Sequence, residues 1–456
     1  MNRFQECKNI KEIVQNISYD VCFKISFYSI LVYFLIPLLS MGTNVFIKGS
    51  STMYLYVGLF LFGFIGLLNG SIYFFKKYYE DKINNRVLVP IIIILIFFIW
   101  SFISSLLSSN KIFAFVGTWY RHDGYISYIF YLGFLIHGFI VSHNKKSLKI
   151  LLNILVISST IMCFLILINN KFTDILIKGI NLYSSDLDVG IFSHRNHFGY
   201  YLTICICASF SFFVNSSRKN VMFYLLTYIL LLYTLTKNDT FGCFLAVSSS
   251  VICLFVYTII KKKNIIKSIL VLIIISIFMF SFSTIRNNIF NTSNEAINIG
   301  QNINNIDKMD EIISTNGRLL LCAGTNRFDL WINGIKLIGN KPLFGYGFEN
   351  LAEPYSKVLK CELTDRPHNI FIQLGANIGI MGIVLYVAFL GIIFINLLKK
   401  FKYIDPIIMC FAFMSIGYIV SSMFGNSMFY TSPYYMVSLG VIMSVYFFRR
   451  DEVNDR

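Results

Sequence analysis

Along most of this chain apolar residues do not alternate with polar ones but run together in long blocks, and residues 87–107 are apolar at nearly every position. A helix needs about 20 such residues to cross the hydrocarbon core of a bilayer, whereas a membrane barrel strand needs about ten with strict alternation. The pattern predicts helices. Blocks of spanning length lie near 24–43, 53–75, 87–108, 124–142, 147–168, 196–214, 219–236, 239–260, 265–284, 368–398, 403–424 and 432–448. From them we expect an all-α polytopic membrane protein of about 12 transmembrane helices. A long polar stretch after the ninth block divides the chain into a first bundle at 1–284, a large loop at 285–367 and a C-terminal bundle at 368–456.

Charge orients this arrangement. The chain has 39 Lys and Arg against 23 Asp and Glu, a net charge of +16. Most of the basic residues fall in the tails and in alternate short connections, as Lys76-Lys77, Lys145-Lys146, Arg218-Lys219, Lys261-Lys262-Lys263 and Lys399-Lys400. Basic short loops stay in the cytoplasm, so these connections and both termini are expected there, with the large loop on the extracytoplasmic side. The excess of positive charge is then a topology signal. It sits at helix ends rather than on a soluble domain, which argues against nucleic acid and leaves membrane lipids as sufficient partners.

Composition agrees with lipid as the solvent, since only 14% of residues are charged and 56% are hydrophobic. Residues 1–23 are polar and the first apolar block has spanning length, so it reads as an insertion signal rather than a cleaved one. The ten cysteines show no C-x-x-C pair and read mainly as small apolar core residues. Cys322 and Cys361 share the large loop and are the one pair in which a disulfide is considered, beside two free thiols.

A transporter or flippase is one reading of such a chain. Ion-coupled transporters place ionisable residues along the pathway, yet the span interiors here are almost free of them. His137 is an exception, expected to be a hydrogen-bonded packing residue. Gly/Pro-broken helices in matching halves are not evident either. The polar chemistry gathers instead at the predicted outer loops, in Arg121, Arg195, Arg318, Arg327 and Arg366 with His122, His194, His197 and His368. Arginine presents a planar fork of donors suited to phosphate oxygens, so the group suggests an anionic ligand; contact with lipid phosphates is the plainer alternative.

Around residues 325–382 the pattern becomes more specific. Asn326 is positioned as a helix cap, and Phe328, Trp331, Ile332, Ile335 and Ile338 recur at helical spacing. This predicts a short amphipathic helix in the membrane interface, with Trp331 as its headgroup anchor and Gly339 and Pro342 at its end. A tight turn, Pro342-Leu343-Phe344-Gly345-Tyr346-Gly347, follows, and then Arg366-Pro367-His368-Asn369 directly before the tenth span.

In their order and spacing, Arg327-x-x-x-Trp331, Pro342-Leu-Phe-Gly345-Tyr-Gly347, His368-Asn369 and Gly379-x-x-Gly382 resemble the O-antigen ligase and O-antigen polymerase superfamily of membrane glycosyltransferases. Gly117-Thr-Trp-Tyr-Arg121-His-Asp-Gly124 and Phe192-Ser-His-Arg-Asn196-His-Phe-Gly199 share the likeness. Two positions depart from it. The loop that often carries Ser-Arg reads Thr236-Lys237-Asn238-Asp239-Thr240, so Lys237, Arg195 or Arg318 would have to supply that charge. The commonly acidic position two before Gly379 is Asn377.

The resemblance implies a GT-C-like fold, no cofactor, and transfer of a glycan from an undecaprenyl-diphosphate-linked oligosaccharide or polysaccharide to a sugar acceptor on the outer face of the cytoplasmic membrane. It implies His368 as base toward the acceptor hydroxyl and Arg327 on the donor diphosphate, with Arg318, Arg121 and Arg195 as further diphosphate-binding residues and Asn196, Asn369 and Trp331 in support. The outer loops show no metal-ligand spacing, and no metal is expected. Ligase and polymerase share a donor and stay equally open.

Overall fold

The computed structural model describes residues 10–41, 52–80, 85–172, 190–192, 194–217, 219–281, 287, 290, 294, 327–359, 364–426 and 428–447. Helices are the regular elements of all of them. In chain order they are α1 (Ile10–Asn16), α2 (Tyr19–Leu39), α3 (Thr52–Tyr79), α4 (Asn85–Leu106), α5 (Lys111–Val116), α6 (Tyr125–Val141), α7 (Lys145–Phe172) and α8 (Arg195–Asn215). There follow α9 (Val221–Asn238), α10 (Phe241–Lys261), α11 (Ile265–Ser281), α12 (Arg327–Asn340), α13 (Ala352–Ser356), α14 (Ile370–Lys399), α15 (Pro406–Ser422) and α16 (Ser432–Phe447).

A helix lies at each predicted apolar block, because a block of that length can satisfy its backbone inside lipid only as a helix. Eight of the described helices are long and apolar enough to cross a membrane, and α6, α11 and α15 are shorter apolar helices beside them. The chain is a multi-pass integral membrane protein. Its first long helix begins earlier than hydropathy suggested: Ser18 caps it, its hydroxyl accepting from the N–H of Val21 at 3.3 Å, so the charged residues Asp20 and Lys24 fall inside the helix.

The last three helices pack among the earlier ones. α16 lies on α6, α15 between α8 and α10, and α14 on α4. Every residue of α8 from His197 to Val214 is buried, which makes it the central post of the bundle. Close packing rather than water exclusion holds helices together in lipid, and small residues permit it. At Gly133 a Cβ would lie 2.0 Å from the Gly63 carbonyl, so α3 and α6 can cross at this distance only with glycine there. His137, on the same helix, is fully buried; its ring nitrogens bond the Ser26 hydroxyl at 2.9 Å and the Phe62 carbonyl at 3.0 Å, the packing role expected of it.

The lysine-rich connections gather at one end of the bundle. Lys145 pairs with Asp405 at 2.9 Å, Lys261 donates to the Ile404 carbonyl at 3.3 Å, and Lys267 donates to the Ser216 carbonyl at 2.8 Å. α14 runs from the opposite end to this one, so His368, just ahead of it, lies away from the lysines.

Candidate active site

The tenth apolar block is not one continuous helix. Ile378 (φ −126°, ψ 16°) and Gly379 (φ 78°, ψ 179°) leave helical geometry and split α14 into a short first half, up to Asn377, and a long second half. The break was not foreseen from the apolar pattern, in which Ile378 and Ile380 flank Gly379. The turn after α12 fills it. The N–H groups of Tyr346 and Gly347 donate to the carbonyls of Ala376 and Asn377 at 2.9 and 2.7 Å, and that of Ile380 donates to the Pro342 carbonyl at 2.8 Å. From α4, the Trp100 indole N–H reaches the carbonyls of Leu343 (3.2 Å) and Ile378 (3.0 Å), while the Ser104 hydroxyl donates to those of Phe344 (2.5 Å) and Asn377 (3.0 Å). The freed backbone groups are thus met by protein, as they must be away from water. The Asn377 side-chain oxygen is buried without a partner, so a carboxylate there would bury an unmatched charge.

The amphipathic helix α12 docks on the first half of α14. Its buried face is Leu330, Asn333, Gly334 and Leu337, offset from the predicted stripe, and Ile335 points outward at 60% exposure. Trp331, expected as a headgroup anchor, packs instead near Phe424, ring centroids 6.2 Å apart, with its indole N–H buried. The protein rather than lipid takes this face, because α14 supplies a surface for it. Asn326, the proposed cap, lies outside the described residues.

Just before α14 the chain turns sharply, with His368 in the left-handed region (φ 50°). Asn369 is the helix cap: its side-chain oxygen accepts from the N–H of Phe371 (3.0 Å) and Ile372 (3.2 Å), and its amide donates to the Met423 carbonyl (3.2 Å). His368 takes no part in capping. Its Nδ1 is buried with no hydrogen-bond partner. The turn is held from below by Arg366, only 3% exposed, whose guanidinium pairs with Asp123 at 3.1 Å and with Glu349. Arg121 extends the cluster to Asp365, its Nη2 donating at 2.9 Å, and approaches Glu349 at 3.9 Å.

His368 opens into a cavity of about 820 Å³ that His122, His194, His197, Asn196, Arg121 and Asp365 also line. Burial pushes the His368 imidazole down to about 4, and the nearby charges of Arg327 and Arg366 push the same way. The ring is therefore neutral at physiological pH and able to accept a proton. His194 caps α8, Nδ1 accepting from the N–H of Asn196 at 3.1 Å.

Arg327 is part-buried, and its electrostatic neighbours are Tyr200, Cys243 and Arg195. Among the described residues neither Arg327 nor Arg195 has a carboxylate within ion-pair distance. The charges of Arg327 and Arg195 repel each other, and Asp239 offsets only that of Arg195, so an anion is favoured beside Arg327. The Asn238 amide holds the Arg195 carbonyl at 2.8 Å, so the loop at 236–240 braces Arg195. Lys237, the other described candidate for that charge, is exposed and lies over the Tyr233 ring.

The structure thus brings His368, Asn369 and Asn196 to one end of the bundle, with Arg327 in electrostatic reach of His368 and Arg195 in reach of Arg327. Arg121, expected to meet an anionic ligand, lines the cavity but has its charge met by Asp365. Arg318, Cys322 and Cys361 lie outside the described residues. Asp123 and Asp365 were missed because their arginine partners lie 243 and 244 positions away in sequence, and Glu349, which joins Arg366 to Arg121, was missed with them.

No curated protein matches the chain. Residues 196–387 match the profile of the family described as O-Antigen ligase, a range that takes in Arg327, the Pro342 turn, His368, Gly379 and Gly382 and leaves out Arg121 and all of α1–α7. The chain therefore carries, in residues 196–387, a domain of the O-antigen ligase family, a family of membrane enzymes of surface polysaccharide assembly.

Proposed function

We propose that this enzyme transfers a glycan from an undecaprenyl-diphosphate-linked donor to a sugar hydroxyl, as a ligase or a polymerase, at the outer face of the cytoplasmic membrane. Its termini and lysine-rich connections then lie in the cytoplasm, its apolar helices form a GT-C-like bundle of about 12 spans, and 285–367 is the extracytoplasmic loop. The observation that carries the reading is His368, neutral and with a buried free ring nitrogen, at a polar cavity within reach of the charge of Arg327.

In the reaction, His368 accepts the proton of the acceptor hydroxyl as its oxygen forms a bond to the anomeric carbon of the donor glycan. The bond from that carbon to the diphosphate breaks, and its electron pair leaves with the diphosphate. Arg327 and Arg195 hold the growing negative charge. The polyprenyl tail confines the donor to the membrane while its charge must stay at headgroup depth, which is where a residue just ahead of a spanning helix lies. A transporter without chemistry has no use for a neutral base beside two arginines.

The test is transfer from a purified lipid-linked donor by folded, inserted variants. His368→Ala is expected to lower turnover by roughly 10²–10⁴-fold with donor binding kept. Arg327→Lys is expected to be poor as well, because an ammonium cannot reproduce the two-pronged grip. Near-normal transfer by His368→Ala would overturn the base assignment, and His197 or His194 would be examined next.

A further inference from the structure

One wall of the His368 cavity is built from residues that the diphosphate chemistry does not use. It comes from α3 and from the connection between α5 and α6, and it carries Tyr56, Trp119, Tyr120 and His122. Trp119 is 83% exposed and Tyr120 46%, unusual for aromatic rings that line a cavity. His122 has a left-handed backbone (φ 50°) and stacks on Tyr56 with ring centroids 4.0 Å apart. Its Nδ1 is buried without a partner. A non-glycine residue held in this conformation costs about 1–3 kcal/mol and tends to mark a working site.

The charge of this wall is already balanced. Arg121 donates to Asp365 from both ends of its fork and also approaches Glu349, so it offers no free cation to a phosphate. What is left is a neutral surface of π-faces fringed by hydroxyl-binding groups, Asp365, Thr364 and Asn426. A carboxylate that accepts from arginine still has lone pairs for further donors. The negative face of an aromatic ring suits the weakly positive C–H face of a pyranose, and polar groups at its edge suit the ring hydroxyls.

We infer that this aromatic wall is the subsite for the acceptor glycan, with Trp119 and Tyr120 as its platform and the Arg121–Asp365 pair as its hydroxyl ligand. The inference rests on the reading above, in which the donor diphosphate lies by Arg195 and Arg327. An acceptor hydroxyl must approach the anomeric carbon from the side that the leaving diphosphate does not occupy, and it must reach His368 as it does so. A second wall of the cavity that also holds His368 meets that requirement.

Binding to the purified full chain tests it with two probes: the oligosaccharide released by mild acid from the host's own surface polysaccharide, and inorganic pyrophosphate. Trp119→Ala and Tyr120→Ala should each weaken oligosaccharide binding by about 3- to 10-fold, the share of one aromatic contact, and leave pyrophosphate binding unchanged. Trp119→Phe should recover most of the loss. Arg327→Gln should do the reverse, weakening pyrophosphate alone. Oligosaccharide binding that is absent in the wild type, or indifferent to Trp119 and Tyr120, overturns the subsite. So does a Trp119→Ala protein whose sole defect is in membrane insertion, which would make the ring a lipid anchor. Pyrophosphate binding indifferent to Arg327 would overturn the donor reading and leave the subsite standing.

Discussion

The N–H of Ile380 donates to the carbonyl of Pro342 over 2.8 Å, stitching the turn after α12 into the gap in α14. The stitch depends on Gly379 between the two halves, where a Cβ would lie 1.9 Å from the Leu343 carbonyl oxygen and φ is 78°. Gly379→Ala should therefore lose at least the about 1–3 kcal/mol of the backbone conformation, and more from the clash with main chain. Gly391, later on the same helix, has open space around it. Gly391→Ala should be neutral or stabilising by up to about 1 kcal/mol. Thermal unfolding of the two variants in one detergent checks the contrast, and equal melting temperatures would refute it.

The acid limb of activity should report on His368. Its neutral form is the base, so the rate falls as pH drops through its pKa, which burial and Arg327 hold near 4 in the empty enzyme. The kcat/KM profile should thus stay level from neutral pH well into the acid range. Bound diphosphate offsets the arginine charge and lifts the histidine, so the limb of kcat should lie at higher pH. Arg327→Gln removes a positive neighbour and should raise the kcat/KM limb too. A limb that stays in place in that variant would detach the titration from His368.

Arg366 should be a point of structural weakness. Its removal leaves Asp123 (2% exposed) without its paired cation and Glu349 with only the more distant Arg121, 3.9 Å away. Breaking a buried pair in this way costs about 3–5 kcal/mol. Arg366→Met should unfold at markedly lower temperature, and adding Asp123→Asn should restore part of the loss. Additive losses in the double variant would show that the two side chains do not act together.

Orientation can be read by labelling. In a cysteine-free background, a single cysteine at Ile335, which points outward from α12, should react with an impermeant thiol reagent on intact cells, and one at Lys262 should not. The reverse pattern would place His368 on the cytoplasmic side and remove the basis for an outer active site.

The helices were legible in the sequence because an unbroken apolar run of spanning length has one solution in lipid. The break at Gly379 was not, since Ile378 and Ile380 keep the hydropathy high on either side and the stitching groups come from another segment. The buried face of α12 was misjudged for a related reason: Trp331 and Ile335 look like the apolar stripe, but α14 receives Leu330 and Leu337. His368 and Arg327 could be picked out by their motif. That Arg121 is neutralised by Asp365, far along the chain, could be learned only from the fold.

The broken α14 also bears on how the enzyme tolerates its membrane. The half that leads from His368 spans residues 370–377, about 12 Å of helix, too short to bridge a bilayer. Its height is set by the turn wedged beneath it and by Trp100 and Ser104, not by the distance between headgroup layers. When lipid composition thickens or thins the bilayer, the long half and its neighbours can tilt to follow, as spanning helices do. The short half moves with the protein core. On the proposed mechanism, His368 would keep its register to Arg327 while the membrane around it changes dimension.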